Sequence, residues 1–159
     1  MTERTVICTG INGEKTEVPV SQLEFRPSVY GIIVRDGKVL LSSQWDGWDF
    51  PGGGIEMGET IDQAIIREIK EETGLAAIKG ELLHVSESFF THPNTEKHFH
   101  TVLIYFACEA VGDISTKHLS DEEKLYVREA QWIPVATIGE LKFYNQVDSA
   151  GLIKQALEK

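Results

Sequence analysis

Three glutamates in the middle of the chain could together hold a divalent metal ion. Glu68, Glu71 and Glu72 are spaced i, i+3 and i+4, so a helix would carry all three carboxylates on one face. Mg²⁺ prefers such hard oxygen ligands, combined with water and substrate phosphates. The same spacing is also typical of a solvated acidic edge, where like charges cost only roughly a few tenths of a kcal/mol. The pattern alone leaves both interpretations open.

The helix that must position these carboxylates is predicted over residues 61–73. Thr60 and Gln63 have the spacing of a capping box, and Gly74 stands where a left-handed residue commonly follows the last turn. Glu68 and Glu72 fall on the same side of this helix as its apolar stripe, which consists of Ile61, Ala64, Ile65 and Ile69. Two carboxylates on a packing face need an explanation, because at about 5 Å they repel by roughly 3 kcal/mol at an effective dielectric constant near 20.

The residues around the helix extend the three glutamates into a longer pattern. The string begins at Gly53, reaches Glu59 after five residues and Arg67 after seven more, and ends at Gly74-Leu75. It resembles the signature of the Nudix hydrolases, GX5EX7REUXEEXGU, at every fixed position, with apolar residues wherever U is required. At average residue usage, a chance match is expected at about one start in 10⁸. Phe50-Pro51-Gly52 and Trp132-Ile133-Pro134 extend the resemblance more loosely.

The resemblance implies a site for Mg²⁺, or for Mn²⁺ in its place. Its ligands would be helix carboxylates and a backbone carbonyl of the glycine loop, namely Glu68, Glu71, Glu72, Gly52 and Gly53. Glycine suits that position because a metal ion and a diphosphate must approach the backbone closely. Glu59 and Arg67 would form an ion pair that orients the loop against the helix.

The resemblance also implies the reaction, which is attack of water on the phosphorus of a diphosphate linkage. The metal ion would neutralise the diphosphate and lower the pKa of the attacking water. The catalytic candidates are Glu59, Arg67, Glu68 and Glu71. Glu68 is the first candidate for the general base, and Glu122 or Glu123 in a later acidic loop is the alternative. An acidic cluster in a loop is also typical of a solvated surface.

Aromatic residues and a histidine stand where they could contact the substrate. Trp45 and Trp48 precede the glycine loop, and either ring could stack on a base for about 1–3 kcal/mol. His92, in a polar loop, could touch a substrate phosphate. Ordinary packing at a sheet edge explains the tryptophans equally well, so both interpretations stay open.

The composition and charge of the chain limit the classes of protein to which it can belong. The chain has 159 residues with 42% hydrophobic and 25% charged, which is typical of one globular domain. Its net charge of −10 argues against general nucleic-acid binding and against docking on anionic membranes. No apolar run is long enough to span a membrane. Cys8 and Cys108 lack metal-binding or CxxC spacing, so we expect small buried hydrophobes in a cytoplasmic protein.

Strand patterns surround the central helix. Two hairpins and two long strands are predicted, at residues 5–20, 29–41, 81–90 and 99–110. The hairpins turn at Asn12-Gly13 and Asp36-Gly37, dipeptides that favour positive φ at both positions. Residues 51–54 are predicted as irregular loop. A short strand over 130–133, a brief helix with Thr137 and Glu140 as its capping box, and a helix from Ser149 complete the chain.

These elements predict an α/β fold with a mixed β-sheet flanked by helices. The resemblance implies the Nudix-like α/β/α sandwich, with residues 1–159 as one domain and residues 1–22 as an N-terminal hairpin extension. Exposed strand edges are compatible with a homodimer.

The substrate is expected to be a small nucleotide. The first hypothesis is hydrolysis of a nucleoside triphosphate, with an oxidised nucleotide included, to monophosphate and pyrophosphate. The alternatives are an ADP-ribose or nucleotide-sugar pyrophosphatase and, in another class, a non-catalytic ligand-sensing module. Retention of Glu59, Glu68, Glu71 and Glu72 disfavours the sensing module. A prenyl-diphosphate isomerase is disfavoured because neither cysteine has a matching context.

Overall fold

A computed structural model describes residues 2–115, 120–122 and 129–159. Within these ranges the β-strands are β1 Thr5–Thr9, β2 Lys15–Pro19, β3 Leu23–Arg35, β4 Lys38–Gln44, β5 Gly47–Asp49, β6 Gly52–Gly54, β7 Ala76–Thr91, β8 His98–Val111 and β9 Gln131–Pro134. The α-helices are α1 Ile61–Thr73 and α2 Ser149–Leu157. Short 3₁₀ helices occupy Val20–Gln22 and Val135–Glu140.

The strands build one mixed sheet in the order β2-β1-β7-β8-β3-β4-β5. β6 adds to β3 and β9 adds to β4 outside this path. β3 runs parallel to β8 over eleven residue pairs, from Leu23 opposite His98 to Ile33 opposite Cys108. β1 meets β7 in parallel at the single pair Thr9 and Phe90, so the N-terminal hairpin extends the edge of the sheet.

The apolar residues of β3 and β4 alternate between two cores, because successive side chains of a strand point to opposite faces. The first core joins these strands to α1 through Val29, Ile33, Leu40, Ala64, Ile65 and Ile69. The second joins them to α2 through Ile32, Val39, Leu41, Leu152 and Ile153. The two helices therefore cover opposite faces of the sheet, and the predicted α/β/α sandwich is confirmed.

Helix α1 has the predicted bounds because both of its ends carry local signals. The Thr60 hydroxyl accepts a hydrogen bond from the Gln63 N–H at 3.2 Å, and the Gln63 side chain accepts one from the Thr60 N–H at 2.9 Å. Gly74 closes the helix with φ of 78°. The capping box and the glycine terminator are thus confirmed.

The two hairpins form with different turns. At the second, Asp36 and Gly37 adopt φ of 52° and 72°, as a two-residue turn requires. The first hairpin pairs Thr9 with Lys15 and leaves a five-residue loop between them. In that loop Gly13 has a positive φ and Asn12 does not, so the prediction for Asn12 is wrong. The longer loop is closed by the Gly10 N–H, which donates to the Glu14 carbonyl at 2.8 Å.

The predicted loop over residues 51–54 is partly wrong, because Gly52–Gly54 forms β6. This strand pairs antiparallel with β3, with Gly52 opposite Tyr30 and Gly54 opposite Ser28. A Cβ on Gly52 would lie 2.1 Å from the Val29 carbonyl oxygen. The absence of side chains therefore lets β6 lie tightly on β3.

The predicted capping box at Thr137 and Glu140 is also wrong. The segment is a 3₁₀ helix that begins after Pro134, and the Thr137 hydroxyl donates to the Pro134 carbonyl at 2.9 Å. That hydroxyl is engaged inside the turn instead of capping it. Among the described residues, no helix has the length and apolarity needed to cross a membrane.

Candidate active site

Helix α1 and strand β6 border one cleft of about 300 Å³. Glu68 and Glu72 line it from the helix, and Gly52 and Gly53 line it from the strand. The two carboxylate residues are only 7% and 4% exposed, although they face a cavity. The prediction that they share the packing side of α1 is therefore matched by their position in the structure.

Glu72 joins the helix to the glycine strand. Its Oε2 accepts hydrogen bonds from the Ser42 hydroxyl at 2.9 Å and from the Gly52 N–H at 3.2 Å. Ser42 lies on β4, so this carboxylate connects α1 to two strands, β4 and β6. Donors of this kind stabilise an ionised carboxylate in a place with little solvent.

Arg67 is the centre of a hydrogen-bonded network beside the cleft. Its Nε and Nη2 bind both oxygens of Glu59, at 2.7 and 2.9 Å. Its Nη1 binds Glu68 at 2.8 Å and Glu71 at 3.2 Å, and its Nη2 also donates to the Gly54 carbonyl at 3.1 Å. One guanidinium thus fixes the turn before α1, the helix and β6 relative to one another.

The electrostatic consequence of this network appears at Glu59. The Arg67 guanidinium holds the pKa of the Glu59 carboxyl down to about 2. The same hydrogen bond is the main cause that raises the pKa of Arg67. Glu71 belongs to the network, but its half-buried side chain lies outside the residues that line the cleft.

Gly53 brings the backbone of β6 against a helix carboxylate. A Cβ at this position would lie 2.7 Å from the Glu68 carboxyl carbon, so any side chain would displace Glu68. The glycine therefore lets the Glu68 carboxylate lie against the backbone of β6 at the cleft.

The oxygen atoms at this cleft fit a hydrated Mg²⁺ ion. Among the described residues, no group of three His, Cys, Asp or Glu side chains is arranged to hold a metal by itself. Mg²⁺ is commonly held by one or two carboxylates, with waters and substrate phosphates completing its coordination. Glu68 and Glu72 supply such oxygens, and the backbone of β6 lies against Glu68 at Gly53.

Trp45 and His92 lie together on the cleft wall. Their ring centroids are 6.0 Å apart, and the Trp45 ring also meets the Tyr144 ring at 5.1 Å. Trp45 adopts φ of 46°, an uncommon conformation for a bulky residue, and such backbone often occurs at functional sites. Trp48 lies elsewhere: it packs against the second core and is not part of the cleft lining.

Glu122 and Glu123, the alternative candidates for the general base, lie at the border of the described residues. Burial lowers the pKa of His92, while the charge of Glu122 acts in the opposite direction. Glu122 is therefore within electrostatic reach of a residue of the cleft. Glu123, the other candidate, lies outside the described residues.

The structure adds Asp49, a carboxylate that the sequence patterns did not indicate. It lines the cleft, is 4% exposed, and burial raises its pKa to about 7. The Asn145 N–H donates to its Oδ1 at 3.3 Å. Its neighbours Tyr30 and Tyr105 stack with ring centroids 5.2 Å apart. The sequence signal that could have indicated Asp49 was its position as an acidic residue between two aromatic residues, Trp48 and Phe50.

Arg26 is a second residue that sequence reasoning missed. Among the described residues it is the one lysine or arginine in the cleft lining. Its guanidinium lies 5.6 Å from the centre of the Phe99 ring. Burial raises the pKa of Tyr30 and the charge of Arg26 partly opposes this, while at His92 the same charge adds to the burial that lowers the pKa, so its field reaches across the cleft. No local pattern marked it, because it sits at an ordinary strand position.

Comparison with known proteins gives one family match and several similar sequences. The model of the NUDIX domain matches residues 24–155. The chain is 34% identical over 106 residues to an ADP-ribose pyrophosphatase of Methanocaldococcus jannaschii, covering 62% of this chain and 60% of that protein. It is 29% identical over 137 residues to an RNA pyrophosphohydrolase of Hydrogenovibrio crunogenus, covering 74% and 81%. The chain thus spans less than two thirds of the archaeal relative.

Solved structures share the fold at low sequence identity. A MutT protein of Bacillus halodurans has a TM-score of 0.61 at 22% identity and covers 84% of this chain and 83% of its own. A NUDIX hydrolase of Nitrosomonas europaea has a TM-score of 0.59 at 21% identity, with coverage of 85% and 87%.

Proposed function

The chain belongs to the NUDIX domain family, and from this premise we propose that it is a Mg²⁺-dependent hydrolase of a nucleotide diphosphate linkage. The observation that carries the proposal is the pair of buried carboxylates, Glu68 and Glu72, at a cleft bordered by a strand of glycines. Buried acids that face a cavity are suited to binding a cation and, through it, an anionic substrate.

The metal would be held by Glu68 and Glu72, with a backbone carbonyl of Gly52 or Gly53. Glu71 would join through water. When bound, Mg²⁺ or Mn²⁺ supplies charge neutralisation for the diphosphate and a lowered pKa for the attacking water.

The residues of the chain itself serve as general base, position the helix and contact the substrate. Glu68 accepts the proton of the attacking water at a carboxylate oxygen, and Glu122 is the alternative base. Glu59 acts through Arg67, which it binds with both oxygens and thereby fixes α1 against β6. Arg26 contacts a substrate phosphate, because it brings a positive charge to a cleft that otherwise contains several acids.

A nucleoside triphosphate is the first substrate class, cleaved to monophosphate and pyrophosphate. The Trp45 ring would stack on its base and His92 would contact a phosphate. ADP-ribose or a nucleotide sugar is the second class, favoured by the name of the archaeal relative. Other relatives are named RNA pyrophosphohydrolase and CTP pyrophosphohydrolase, which adds RNA and CTP to the compounds to be tested.

The test is product release from a panel of these compounds with Mg²⁺, with Mn²⁺ and with chelator. Wild type is compared with Glu72→Gln, which keeps a hydrogen-bond acceptor for Ser42 but loses the charge. Asp62→Asn is the matched control, because it makes the same change on the same helix away from the cleft, in the first turn.

We expect chelator-sensitive turnover by wild type and by the control, with at least a hundredfold loss in Glu72→Gln. Full activity of Glu72→Gln would contradict the metal assignment. Absence of turnover across the panel, with retained binding of a nucleotide, would favour the ligand-sensing alternative.

A further inference from the structure

The N-terminal hairpin supplies a wall of the same cleft. Ile7, Gly10 and Ile11 line the cavity that also contains Glu68 and Glu72. The hairpin strands β1 and β2 end at Pro19, before residue 24, where the family match begins. This wall is therefore additional to the segment that the family shares.

The hairpin is anchored so that one face reaches the cleft. Cys8 and Val18 are fully buried on one side of β1 and β2. Since successive side chains alternate, Ile7 and Thr9 lie on the other face of β1, and both line the cavity. The pairing of Thr9 with Phe90 fixes the end of β1 beside β7.

The isoleucines of this wall have no structural role in the cores. Ile7 is 51% exposed, and neither Ile7 nor Ile11 packs against the two apolar cores formed by the described residues. When a ligand covers apolar side chains that face a cavity, their removal from water favours binding.

Aromatic rings line the same cavity. Trp45, Phe90, His92 and Tyr144 belong to its lining. His92 connects two of them, with its ring centroid 6.0 Å from Trp45 and 6.4 Å from Phe90. Aliphatic and aromatic side chains in one cavity suit the flat faces of a base, and polar side chains that also line it, such as Asn145 and Gln146, can pair with the polar edge of that base.

We propose that the N-terminal hairpin is a substrate-selecting element, in which Ile7 and Ile11 pack against the nucleobase of the substrate. This inference rests on the proposed function for the identity of the ligand and assigns the base-binding part of the cleft. The diphosphate end of the substrate lies toward Glu68 and Glu72, and the base lies toward the hairpin. The hairpin residues affect affinity for the base and leave the phosphate chemistry unchanged.

The experiment measures binding, so it does not depend on turnover. The probes are the nucleoside monophosphates of the four common bases and inorganic pyrophosphate, which has no base, each titrated calorimetrically with Mg²⁺. The variant is Ile7→Ser/Ile11→Ser. The control is Ile78→Ser, which changes an exposed strand isoleucine of β7 outside the cleft lining.

We expect the double variant to weaken binding of the preferred monophosphate about tenfold and to change pyrophosphate binding less than twofold. The control should match wild type for both probes. Equal weakening of both probes, unchanged monophosphate binding in the double variant, or no binding of any monophosphate to wild type would each overturn the proposal.

A second variant covers the case in which the double substitution disturbs folding. Ile11 lies in the loop of the hairpin, outside both strands. We expect the single variant Ile11→Ser to weaken monophosphate binding about threefold and to leave the melting temperature unchanged. Unchanged binding in this variant would overturn the role of Ile11. If monophosphates bind in this way while wild type hydrolyses no compound of the panel, the base site stands and the proposed hydrolase activity fails.

Discussion

Glu68 and Glu72 lie one helical turn apart with little exposure to solvent, so their charges oppose each other in the protein without metal. Glu72→Gln removes one of these charges and keeps an acceptor for Ser42 and for the Gly52 N–H. We therefore expect the melting temperature of the chelator-treated protein to rise by about 2–4 °C, which corresponds to roughly 1 kcal/mol. Scanning calorimetry of both proteins measures this.

The matched comparison for that prediction is again Asp62→Asn. Asp62 forms an ion pair with Lys79 and is largely exposed, so its loss should leave the melting temperature unchanged or slightly lower. A lower melting temperature in Glu72→Gln than in wild type would mean that the Glu72 charge is compensated in the folded protein.

Asp49 should make stability depend on pH with an unusual sign. Burial raises its pKa from 3.8 to about 7, so between these values the folded protein binds a proton that the unfolded chain has released. The free energy of unfolding therefore falls as pH rises through this window. Asp49→Asn removes this contribution: we expect equal stability near pH 4 and an advantage of about 2–4 kcal/mol for the variant at pH 8.

Urea denaturation of both proteins at several pH values checks the Asp49 prediction. Two buried tyrosines, Tyr30 and Tyr105, interact electrostatically with Asp49, and burial raises the pKa of each, to about 12 for Tyr30, so both stay neutral throughout. Parallel stability curves for wild type and variant would show that Asp49 is ionised in the folded protein.

At the residue scale, the sequence predicted those candidates that are linked by local spacing. Glu59, Arg67 and Glu68 follow from one helix and the turn before it, and they meet in one hydrogen-bonded network. Asp49 and Arg26 were missed because their environment is created by strands distant in the sequence. Asp49 accepts a hydrogen bond from the N–H of Asn145, which is 96 positions away in the sequence, so no local pattern reports this contact.

At the element scale, β6 acts through the absence of side chains. Gly53→Ala would place a Cβ 2.7 Å from the Glu68 carboxyl carbon and push that carboxylate away from the strand. We expect at least a tenfold loss in the affinity for Mg²⁺ or Mn²⁺, measured by titration calorimetry. Gly139→Ala is the control, since a Cβ there meets no atom within 4 Å. Unchanged metal affinity in Gly53→Ala would remove β6 from the proposed metal site.

Arg67 joins α1 to its neighbours through a planar fork that lysine cannot reproduce. Arg67→Lys keeps the charge but cannot bind both oxygens of Glu59 while also reaching Glu68 and Gly54. We expect kcat to fall at least tenfold with a small change in KM, because α1 is then poorly positioned relative to β6. Activity equal to wild type would show that charge alone suffices.

The elements differ in how much of them local sequence determines. Helix α1 carries its capping box and terminal glycine within its own segment, so its bounds were predicted to the residue. Strand β6 consists of three glycines, which have no strand preference of their own, and it forms because β3 offers a close-fitting partner. The 3₁₀ helix after Pro134 differs from the prediction because Thr137 bonds back to Pro134.

At the scale of the whole molecule, the sheet both supports the two helices and borders the cleft. Its two faces support one helix each, and the cleft forms where α1, β6 and the hairpin wall come together. The order of strands before, between and after the helices predicted this layered architecture, because each helix must bury one face against a sheet. The assembly of the cleft from distant segments could not be predicted, since it requires the register of β1 against β7.

The net charge of −10 makes ligand binding depend on salt in a direction that tests the balance of charges in the cleft. Without a divalent cation, the protein as a whole repels a nucleotide, while Arg26 attracts it locally. Salt screens the long-range repulsion more than the short-range contact, because the Debye length falls from about 30 Å at 0.01 M to about 8 Å at 0.15 M. We therefore expect chelator-treated protein to bind a nucleoside monophosphate about threefold more tightly at the higher salt concentration. Fluorescence titration at both concentrations measures this, and Arg26→Gln should increase the salt effect by removing the local attraction. Weaker binding of wild type at high salt would mean that the charge of Arg26 outweighs that of the acidic surface.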